Sequence, residues 1–292
     1  MLGRCLVLKW RHCDTAVAAN KTPFPFQPFY NFMLDLSGKT ALVTGASSGI
    51  GQATAIALAQ AHCKVILHYN QNETGIRETA TELEKSSAEF TVIQQDLLES
   101  NQLDSFCENA WSWQEQLDVL VNVAGGDVLT TDKRNWTFEE KLEFLWKLDV
   151  HSTLVLSRNL GERMKTHNQS SNTSTPSIIN IGWDQAPMGQ AGENGQIFST
   201  TKGAIMAFTQ SLAKSLAPNV RVNCVAPGWI KTSWGEGTSD YWDQRAKKES
   251  LLQRWGRPSD VAHVICMLAS DSSEFVNGQT IAVNGGLGFG KE

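Results

Sequence analysis

The chain has little tyrosine, no paired cysteines and no long apolar run. Only three of its 292 residues are tyrosine, against ten tryptophans and twelve phenylalanines. No apolar run approaches the ~20 residues that a membrane-spanning helix needs, so we predict no contact with a membrane. The six cysteines form no CxxC pair and no cluster with histidine, so no metal site is predicted. Scattered cysteines of this kind predict buried thiols in a reducing, cytoplasmic compartment.

Basic residues are not in excess either. The formal net charge is -5 at pH 7 and the pI is about 5.7, which argues against a nucleic-acid partner. The hydrophobic fraction is 41%. A chain of this length and composition can bury the core of one large α/β domain.

The first 32 residues differ in composition from the rest. They hold basic residues and then a Pro/Phe-rich segment, and they show no helical or strand periodicity. Lys9, Arg11 and His12 interrupt the only apolar run, which argues against a signal peptide. We therefore predict that residues 1–32 form a disordered extension or reflect a mis-set start codon, and that residues 33–292 form a single domain.

From Lys39 onward, short apolar runs alternate with helical patterns. The runs that predict strands are Ala41–Val43, Val65–His68, Phe90–Ile93, Val119–Val123, Ser177–Ile181, Val220–Val225 and Thr280–Val283. The clearest helical patterns are Gly75–Lys85, Glu139–Met164 and Thr200–Leu216, and the polar segment His167–Pro176 predicts a surface loop. This alternation predicts an α/β fold, a single doubly wound parallel sheet of Rossmann type with helices on both faces. The expected strand order is 3-2-1-4-5-6-7, with the ligand at the switch point beside strand 1.

The segment TALVTGASSGIG, from Thr40 to Gly51, is the centre of this pattern. A short apolar strand ends at Thr44, and three glycines lead into an apolar-periodic helix. The first turn of a helix has unpaired N–H groups that attract anions, and glycines let a pyrophosphate approach the backbone. The spacing T-G-x-x-x-G-x-G differs from G-x-G-x-x-G and resembles that of the short-chain dehydrogenase/reductase family.

Three later segments carry the same resemblance. LVNVAGG, from Leu120 to Gly126, is similar to the family's N-N-A-G turn, with Val123 in place of the second asparagine. The segment around Lys202 is similar to the family's catalytic helix, and Val222–Thr232 matches its P-G-x-I-x-T segment. The resemblance spans about residues 35–288 and implies binding of a nicotinamide dinucleotide together with a small-molecule substrate.

The resemblance also implies which residues bind the cofactor. They are Gly45, Ser47, Ser48, Gly49, Ile50, Gly51, Tyr69, Asn70, Asp96, Leu97, Asn122, Ala124, Gly125, Lys202, Pro227, Gly228, Ile230 and Thr232. The glycine turn would hold the pyrophosphate, Asp96 and Leu97 the adenine, and Ile230 and Thr232 the carboxamide side. Asp96 reads equally well as a simple cap of the following helix.

The end of the second predicted strand bears on cofactor choice. NAD-specific sites carry an Asp or Glu there to hold the ribose hydroxyls, whereas this chain has Tyr69 and Asn70. No arginine is present to pair with a 2′-phosphate, since Ser48 precedes the second glycine. We predict NADP(H) as the preferred cofactor, with NAD(H) as the alternative.

The family's catalytic pattern is largely lost. By resemblance, a tyrosine four residues before Lys202 would donate the proton, but Phe198 stands there. The serine that polarises the carbonyl is replaced within Ile181-Gly182-Trp183-Asp184. The usual asparagine of the preceding helix is Asp149, which is open to a surface pairing with Lys147 or His151.

Two functions remain open. In the first, the protein is a reductase of a carbonyl or a ring C=N, with Lys202 and a protonated Asp184 as catalytic groups. The stretch around Asp184 resembles pteridine reductases, which however keep the tyrosine, and Asp184 also reads as a solvated loop carboxylate. In the second, the protein binds NADP(H) without turnover, as a sensor or scaffold subunit. The chain also resembles 3-oxoacyl-carrier-protein reductase in general, but that activity needs the missing tyrosine and would require an atypical route.

The segment after Thr232 is rich in aromatic residues. It contains Trp234, Tyr241, Trp242 and Trp255, where the resemblance implies a lid over the substrate. For Trp255 we favour packing of the lid onto the core. The resemblance further implies a homotetramer or a homodimer built on the two long helices.

Overall fold

A computed structural model describes residues 34–171, 174–232, 235 and 238–287 of the chain. The predicted disordered extension over residues 1–32 and the predicted lid residue Trp234 lie outside the described residues. None of the helices in the described part of the chain is both long and apolar enough to cross a membrane.

Seven parallel strands form one sheet in the order β3-β2-β1-β4-β5-β6-β7, which confirms the predicted topology. The strands are β1 Thr40–Val43, β2 Lys64–Tyr69, β3 Phe90–Gln94, β4 Val119–Asn122, β5 Ser177–Ile181, β6 Arg221–Pro227 and β7 Thr280–Val283. The order reverses between β1 and β4, so the carboxyl ends of these two strands open a crevice. The glycine turn and the LVNVAGG turn both lie at this edge.

Helices connect successive strands on both faces of the sheet. They are α1 Gly49–Gln60, α2 Glu73–Lys85, α3 Leu103–Ser112, α4 Phe138–Leu145, α5 Ser152–Ser171, α6 Glu193–Leu216, α7 Asp240–Glu249 and α8 Pro258–Ala269. The prediction of one helix over Glu139–Met164 was wrong in one respect, because a π-helical segment, Trp146–His151, separates α4 from α5. The predicted loop at His167–Pro176 was also partly wrong, since α5 continues to Ser171.

The alternation of side chains along the strands divides the core into two layers. Ala41, Val43 and Val65 pack into one cluster, whereas Leu42 and Ile66 pack into the cluster on the opposite face. Successive side chains of a strand point to opposite faces, so a continuous apolar run serves both layers at once. This is why the central strands β1 and β4 are almost entirely apolar in the sequence.

A chain of buried amides and hydroxyls joins the central strands to the two long helices. Asn122 donates from Nδ2 to Ser157 Oγ and to Asn180 Oδ1, both at 2.9 Å, and Asn180 donates to Thr209 Oγ1 at 3.0 Å. These contacts tie β4 and β5 to α5 and α6. Buried hydrogen bonds fix orientation because an unpaired polar group is costly there. The segments that carry Asp149 and Lys202 are thereby held beside the crevice.

Candidate active site

The glycine turn leaves the start of α1 open to an anion. Ser48, the residue before α1, has an extended backbone and makes no capping side-chain hydrogen bond. Gly45 and Gly49 have positive φ angles of 68° and 53°, and a Cβ on Gly51 would lie 2.1 Å from the carbonyl oxygen of Gly45. The residues therefore fit a dinucleotide pyrophosphate, which would meet free N–H groups in a cradle that side chains would fill.

Two buried side chains that sequence reasoning missed support this turn. Thr44 Oγ1 accepts the N–H groups of Val123 at 3.0 Å and Ala124 at 3.1 Å, which joins the turns after β1 and β4. His68 Nδ1 accepts the N–H of Gly45 at 3.2 Å, and its Nε2 lies 3.0 Å from the carbonyl oxygen of Gln95. Nε2 therefore carries the proton of a neutral ring. The one sequence signal for His68 was its position near the end of β2, directly before Tyr69 and Asn70, which were predicted to bind the cofactor.

We expect His68 to make stability depend on pH between about 4 and 6.5. Burial lowers the pKa of His68 to about 4, although the Gln95 carbonyl and the Asp96 carboxylate act in the opposite direction. The unfolded chain therefore binds a proton that the folded chain refuses, so the contribution is intact above pH 6.5 and is lost as the pH falls towards 4. The expected loss is about 3 kcal/mol.

Urea unfolding at pH 7, 5.5 and 4.5 measures this effect. His68→Asn keeps an acceptor for Gly45 but does not titrate, so its stability should fall less with acid than that of the parent chain. His263→Asn, at an exposed position on α8, is the matched control and should follow the parent. Equal acid slopes for the parent and His68→Asn would contradict the assignment.

The adenosine side of the crevice is lined by neutral polar groups. Asn70, Gln71 and Asn72 line it after β2, together with Ser47 and Ser48. Asn72 donates from Nδ2 to the Ser47 carbonyl oxygen at 3.0 Å and accepts the Gly75 N–H at 3.0 Å. None of the described residues that line the cavity between β2 and α2 is a carboxylate, because Glu73 at the start of α2 does not line it, so a 2′-phosphate would meet no negative charge at this point.

Two of the residues assigned to the adenosine by resemblance do not line the crevice. Tyr69 packs against the core cluster, since the strand turns His68 and Asn70 towards the crevice and Tyr69 away from it. Asp96 accepts the N–H of Leu98 at 2.9 Å in a local turn, but Glu99 and not Asp96 precedes the next helical turn, so its reading as a helix cap was wrong. Leu97, in contrast, does line the crevice.

The crevice consists of two adjoining cavities of about 600 and 590 Å³. The first, which we call the nucleotide cavity, contains the glycine turn. The second, which we call the substrate cavity, is lined by α6 and by the segment after β6. Ile50, Leu129, Phe198 and Thr232 line both cavities and mark their junction.

Most of the residues predicted to bind the cofactor line these cavities. Those in the nucleotide cavity are Gly45, Ser47, Ser48, Gly49, Ile50, Gly51, Asn70, Leu97, Ala124 and Gly125. Those in the substrate cavity are Lys202, Pro227, Gly228, Ile230 and Thr232. Asn122 is buried among the central strands instead, where it has the sheet-stabilising role already described.

Lys202 and Asp149 form a buried ion pair beside the junction. Lys202 Nζ lies 2.8 Å from Asp149 Oδ2, and the two side chains are 15% and 2% exposed. Asp149 Oδ1 accepts the N–H of Gly126 at 2.8 Å, so both carboxylate oxygens have a partner. The reading of Asp149 as a surface residue paired with Lys147 or His151 was wrong. The π-helical segment sets Asp149 in the interior, and irregular turns of this kind are frequent at functional sites.

The start of α6 offers no hydroxyl in place of the missing tyrosine. The Phe198 ring lies at the junction, 6.3 Å from the Trp183 ring in an edge-to-face contact. Thr200 and Thr201 turn their hydroxyls back to carbonyl oxygens of α6 itself. Ser199 does not line either cavity, and its hydroxyl is buried without a hydrogen bond to any described residue.

Asp184 is buried, so its reading as a solvated loop carboxylate was wrong. It is 9% exposed, and Asn284 donates to its Oδ2 at 3.0 Å. Burial raises the pKa of Asp184, while the hydrogen bond from Asn284 opposes the rise. Its carboxylate packs against Gly228 and does not line the substrate cavity, whereas the neighbouring Trp183 does. The structure does not bring Asp184 to the place where Lys202 meets the cavity.

Aromatic residues and one arginine from the segment after β6 and from α7 also line the substrate cavity. Trp229, Trp242 and Arg245 line it, and the arginine's guanidinium carbon lies 5.6 Å and 5.2 Å from the two ring centroids. Trp255 is 7% exposed and donates to Asp243 at 2.9 Å. Packing of α7 onto the core through Trp255 agrees with its expected role.

A single parallel sheet of this order, with an open glycine turn at its switch point, defines a dinucleotide-binding enzyme fold. Residues 45–288 match the family described as enoyl-(acyl carrier protein) reductase. The chain belongs to the short-chain dehydrogenase/reductase family. The expectation drawn from the sequence motifs is thereby confirmed.

Curated relatives of the chain include several oxidoreductases. The 3-oxoacyl-[acyl-carrier-protein] reductase FabG of Aquifex aeolicus is 33% identical over 263 residues, which cover 87% of this chain and 99% of that protein. The reductase of the same name from Rickettsia bellii is 31% identical over 259 residues, again covering 87% and 99%. The chain is therefore similar to these reductases over nearly their whole length.

The solved structures that are similar to this chain also include oxidoreductases. A 3-oxoacyl (acyl-carrier-protein) reductase from Agrobacterium tumefaciens with NADP bound has a TM-score of 0.78 and 26% identity, covering 90% of this chain and 99% of that one. A 7α-hydroxysteroid dehydrogenase complexed with NADH and 7-oxo glycochenodeoxycholic acid has a TM-score of 0.77 and 26% identity, covering 87% and 96%. These neighbours support an oxidoreductase fold with a nicotinamide cofactor.

Proposed function

We propose that this protein is an NADP(H)-dependent reductase of a carbonyl or ring C=N group in a small molecule, and that it works without the usual tyrosine. The observation that carries the proposal is the buried ion pair of Lys202 and Asp149 beside Phe198. Lys202 lines the substrate cavity, and in this proposal its ammonium group is the donor to the substrate. An ordinary surface lysine would not be held in this way.

The nucleotide cavity supports NADP(H) as the preferred cofactor over NAD(H). Neutral side chains follow β2, and the Agrobacterium relative was solved with NADP bound. A family neighbour was solved with NADH, so NAD(H) stays the alternative cofactor. Fluorescence titration should give tighter binding of NADPH than of NADH. Equal or reversed affinities would contradict this preference.

The chain's own residues account for the remaining chemistry. When bound, the reduced cofactor supplies a hydride. Lys202 Nζ has three N–H donors, of which Asp149 takes one, and the others can donate a hydrogen bond and then a proton to the reduced atom. Phe198 and Trp183 provide apolar walls that exclude water and strengthen the lysine's field. A C=N group develops less anionic character than a ketone oxygen, so we place ring C=N compounds first among the acceptors.

NADPH consumption by the purified chain tests the proposal. The acceptors are dihydropterins, quinones or diketones, and 3-oxoacyl thioesters. Turnover that is fastest on the dihydropterins supports the ranking, and turnover only on thioesters would instead support an atypical 3-oxoacyl reductase. Tight NADPH binding without turnover on all three classes would favour a non-catalytic nucleotide-binding subunit.

Asp184→Asn separates the two candidate acids. Because the Asp184 carboxyl lies against Gly228 outside the cavity lining, we expect turnover to stay within about threefold of the parent. The test is kcat on the best acceptor at several pH values. A loss above about 100-fold, the scale of general acid catalysis, would assign the acid role to Asp184 after all.

Phe198→Tyr should raise ketone reduction by at least tenfold. The new hydroxyl would stand at the junction of the cavities, four residues before Lys202, and would add a proton donor worth about 10²–10⁴-fold. Reduction of C=N acceptors should change less. Phe198→Leu, which changes the ring but adds no hydroxyl, is the matched control. Unchanged ketone reduction in Phe198→Tyr would show that the missing hydroxyl does not limit the reaction.

We further propose that the protein assembles as a homotetramer, or failing that a homodimer. The support is the family relationship together with a groove that residues of α4, the π-helical segment and α6 line, where the apolar Trp146 is 46% exposed. Light scattering on the purified chain measures the mass directly. A monomer at micromolar concentration would rule out both assemblies.

A further inference from the structure

The arginine in the substrate cavity is held from behind by a carboxylate. Glu249 Oε1 accepts Arg245 Nε at 2.6 Å, and Glu249 Oε2 accepts Trp229 Nε1 at 2.7 Å. Arg245 and Trp229 line the cavity, whereas Glu249 does not. The guanidinium group is therefore fixed in place before any substrate binds.

Most hydrogen-bond donors of this guanidinium remain available. A guanidinium group has five N–H donors in a planar fork, and Nε uses one of them on Glu249. Its Nη groups make no hydrogen bond to any residue in the described part of the chain. The side chain is 27% exposed and packs beside the Trp229 and Trp242 rings, which also contact each other. Donors fixed beside aromatic rings suit a flat ligand with an acceptor group at its edge.

The charges around the cavity disfavour a doubly charged ligand. Arg245 is balanced by Glu249, and Lys202 is balanced by Asp149. Glu193, an exposed residue at the start of α6, adds a negative charge at the rim. A doubly charged phosphate would be repelled by these carboxylates more than a singly charged carboxylate. A carboxylate also matches the planar fork of an arginine in two parallel hydrogen bonds.

We propose that the substrate is a flat, conjugated ring compound that carries a carboxylate, which the Nη groups of Arg245 bind. This inference rests on the proposed reductase function and narrows its substrate class. The ring packs against Trp229 and Trp242, and the carboxylate fixes its orientation relative to Lys202. Arg245 is thus the residue of this cavity that determines specificity.

Calorimetric titration with non-reducible probes tests this inference apart from catalysis. The probes are naphthalene-2-carboxylate, naphthalene-2-carboxamide and 2-naphthyl phosphate, titrated with and without NADP⁺. We expect the carboxylate to bind at least tenfold more tightly than the carboxamide and more tightly than the phosphate. No binding of the carboxylate in either condition, no preference over the carboxamide, or a preference for the phosphate would each overturn the inference.

Variants of α7 test whether Arg245 causes the preference for the carboxylate. Arg245→Gln should abolish the preference for the carboxylate and leave carboxamide binding within about threefold, and Arg245→Lys should keep part of it. Lys247→Gln is the matched control, since Lys247 is an exposed residue of α7 that pairs with Asp243 and does not line the cavity. A carboxylate preference retained in Arg245→Gln would overturn the inference.

The reductase function is tested separately in the same samples. The reducible probe is 6-formyl-2-naphthoate, compared with its methyl ester, with NADPH consumption as the readout. A carboxylate preference in the titrations without any NADPH binding would overturn the reductase proposal and leave the binding site standing. Turnover that does not distinguish the acid from the ester would overturn the substrate class and leave the reductase standing.

Discussion

Lys202→Met should lower NADPH-dependent turnover by about 10²–10⁴-fold, the scale of a lost proton donor. It should also lower the free energy of unfolding by about 3–5 kcal/mol, because it leaves a buried carboxylate without its cation. The Asp149 side chain is only 2% exposed, so water cannot replace the lysine readily. The measurements are kcat on the best acceptor and urea unfolding.

The double variant Lys202→Met, Asp149→Leu distinguishes the two effects. Removing both charges of a buried pair is far less costly than removing one, so much of the stability should return. Turnover should not return, because the donor is still absent. Asp149→Asn keeps an acceptor for the Gly126 N–H and should be less destabilising than Lys202→Met. Equal stability of the parent and Lys202→Met would show that the ion pair is not formed in solution.

The second large effect concerns the glycine turn. Gly51→Ala should lower the free energy of unfolding by about 3 kcal/mol, the upper range for overpacking in a close-packed interior. The added Cβ would lie 2.1 Å from the Gly45 carbonyl oxygen, so α1 and the turn must move apart. Because that movement opens the anion cradle, NADPH affinity should fall at least tenfold. Urea unfolding and fluorescence titration measure both changes.

Gly203→Ala is the matched control and should have the opposite sign. Gly203 lies inside α6, and a Cβ there would meet no atom within 4 Å. Alanine in a helix interior stabilises by about 0.5–1 kcal/mol relative to glycine. The same chemical change is thus expected to destabilise at one position and stabilise at the other. Similar effects at both positions would refute the close approach at Gly51.

The strand order and the cofactor crevice could be predicted from the sequence because they depend on local patterns. Apolar runs of three to six residues, separated by helical periods, already specify a parallel sheet with covered faces. The glycine turn between β1 and α1 could likewise be predicted from the sequence, since only glycine lets backbone segments approach each other so closely. The sequence shows that Phe198 and Asp149 depart from the family's catalytic pattern, but it does not show which contacts these two residues make.

Contacts between segments that are far apart in the chain account for the features that the sequence predictions missed. Asp149 and Lys202 are 53 positions apart in the chain, and only the packing of α6 against the π-helical segment makes them an ion pair. The burial of Asp184 similarly depends on Asn284, from the far end of the chain. The carboxylate that holds Arg245 also holds Trp229, a contact that no spacing in the sequence indicates.

The sequence by itself therefore determined the family, the topology and the location of the nucleotide cavity. These follow from periodicity and from glycines, which act on residues close together in the chain. Only the tertiary structure decided which charges meet, namely that Asp149 pairs with Lys202 and that Glu249 holds Arg245. The energy of a charge depends on its burial and on its partner, and both are set by residues far away in the sequence.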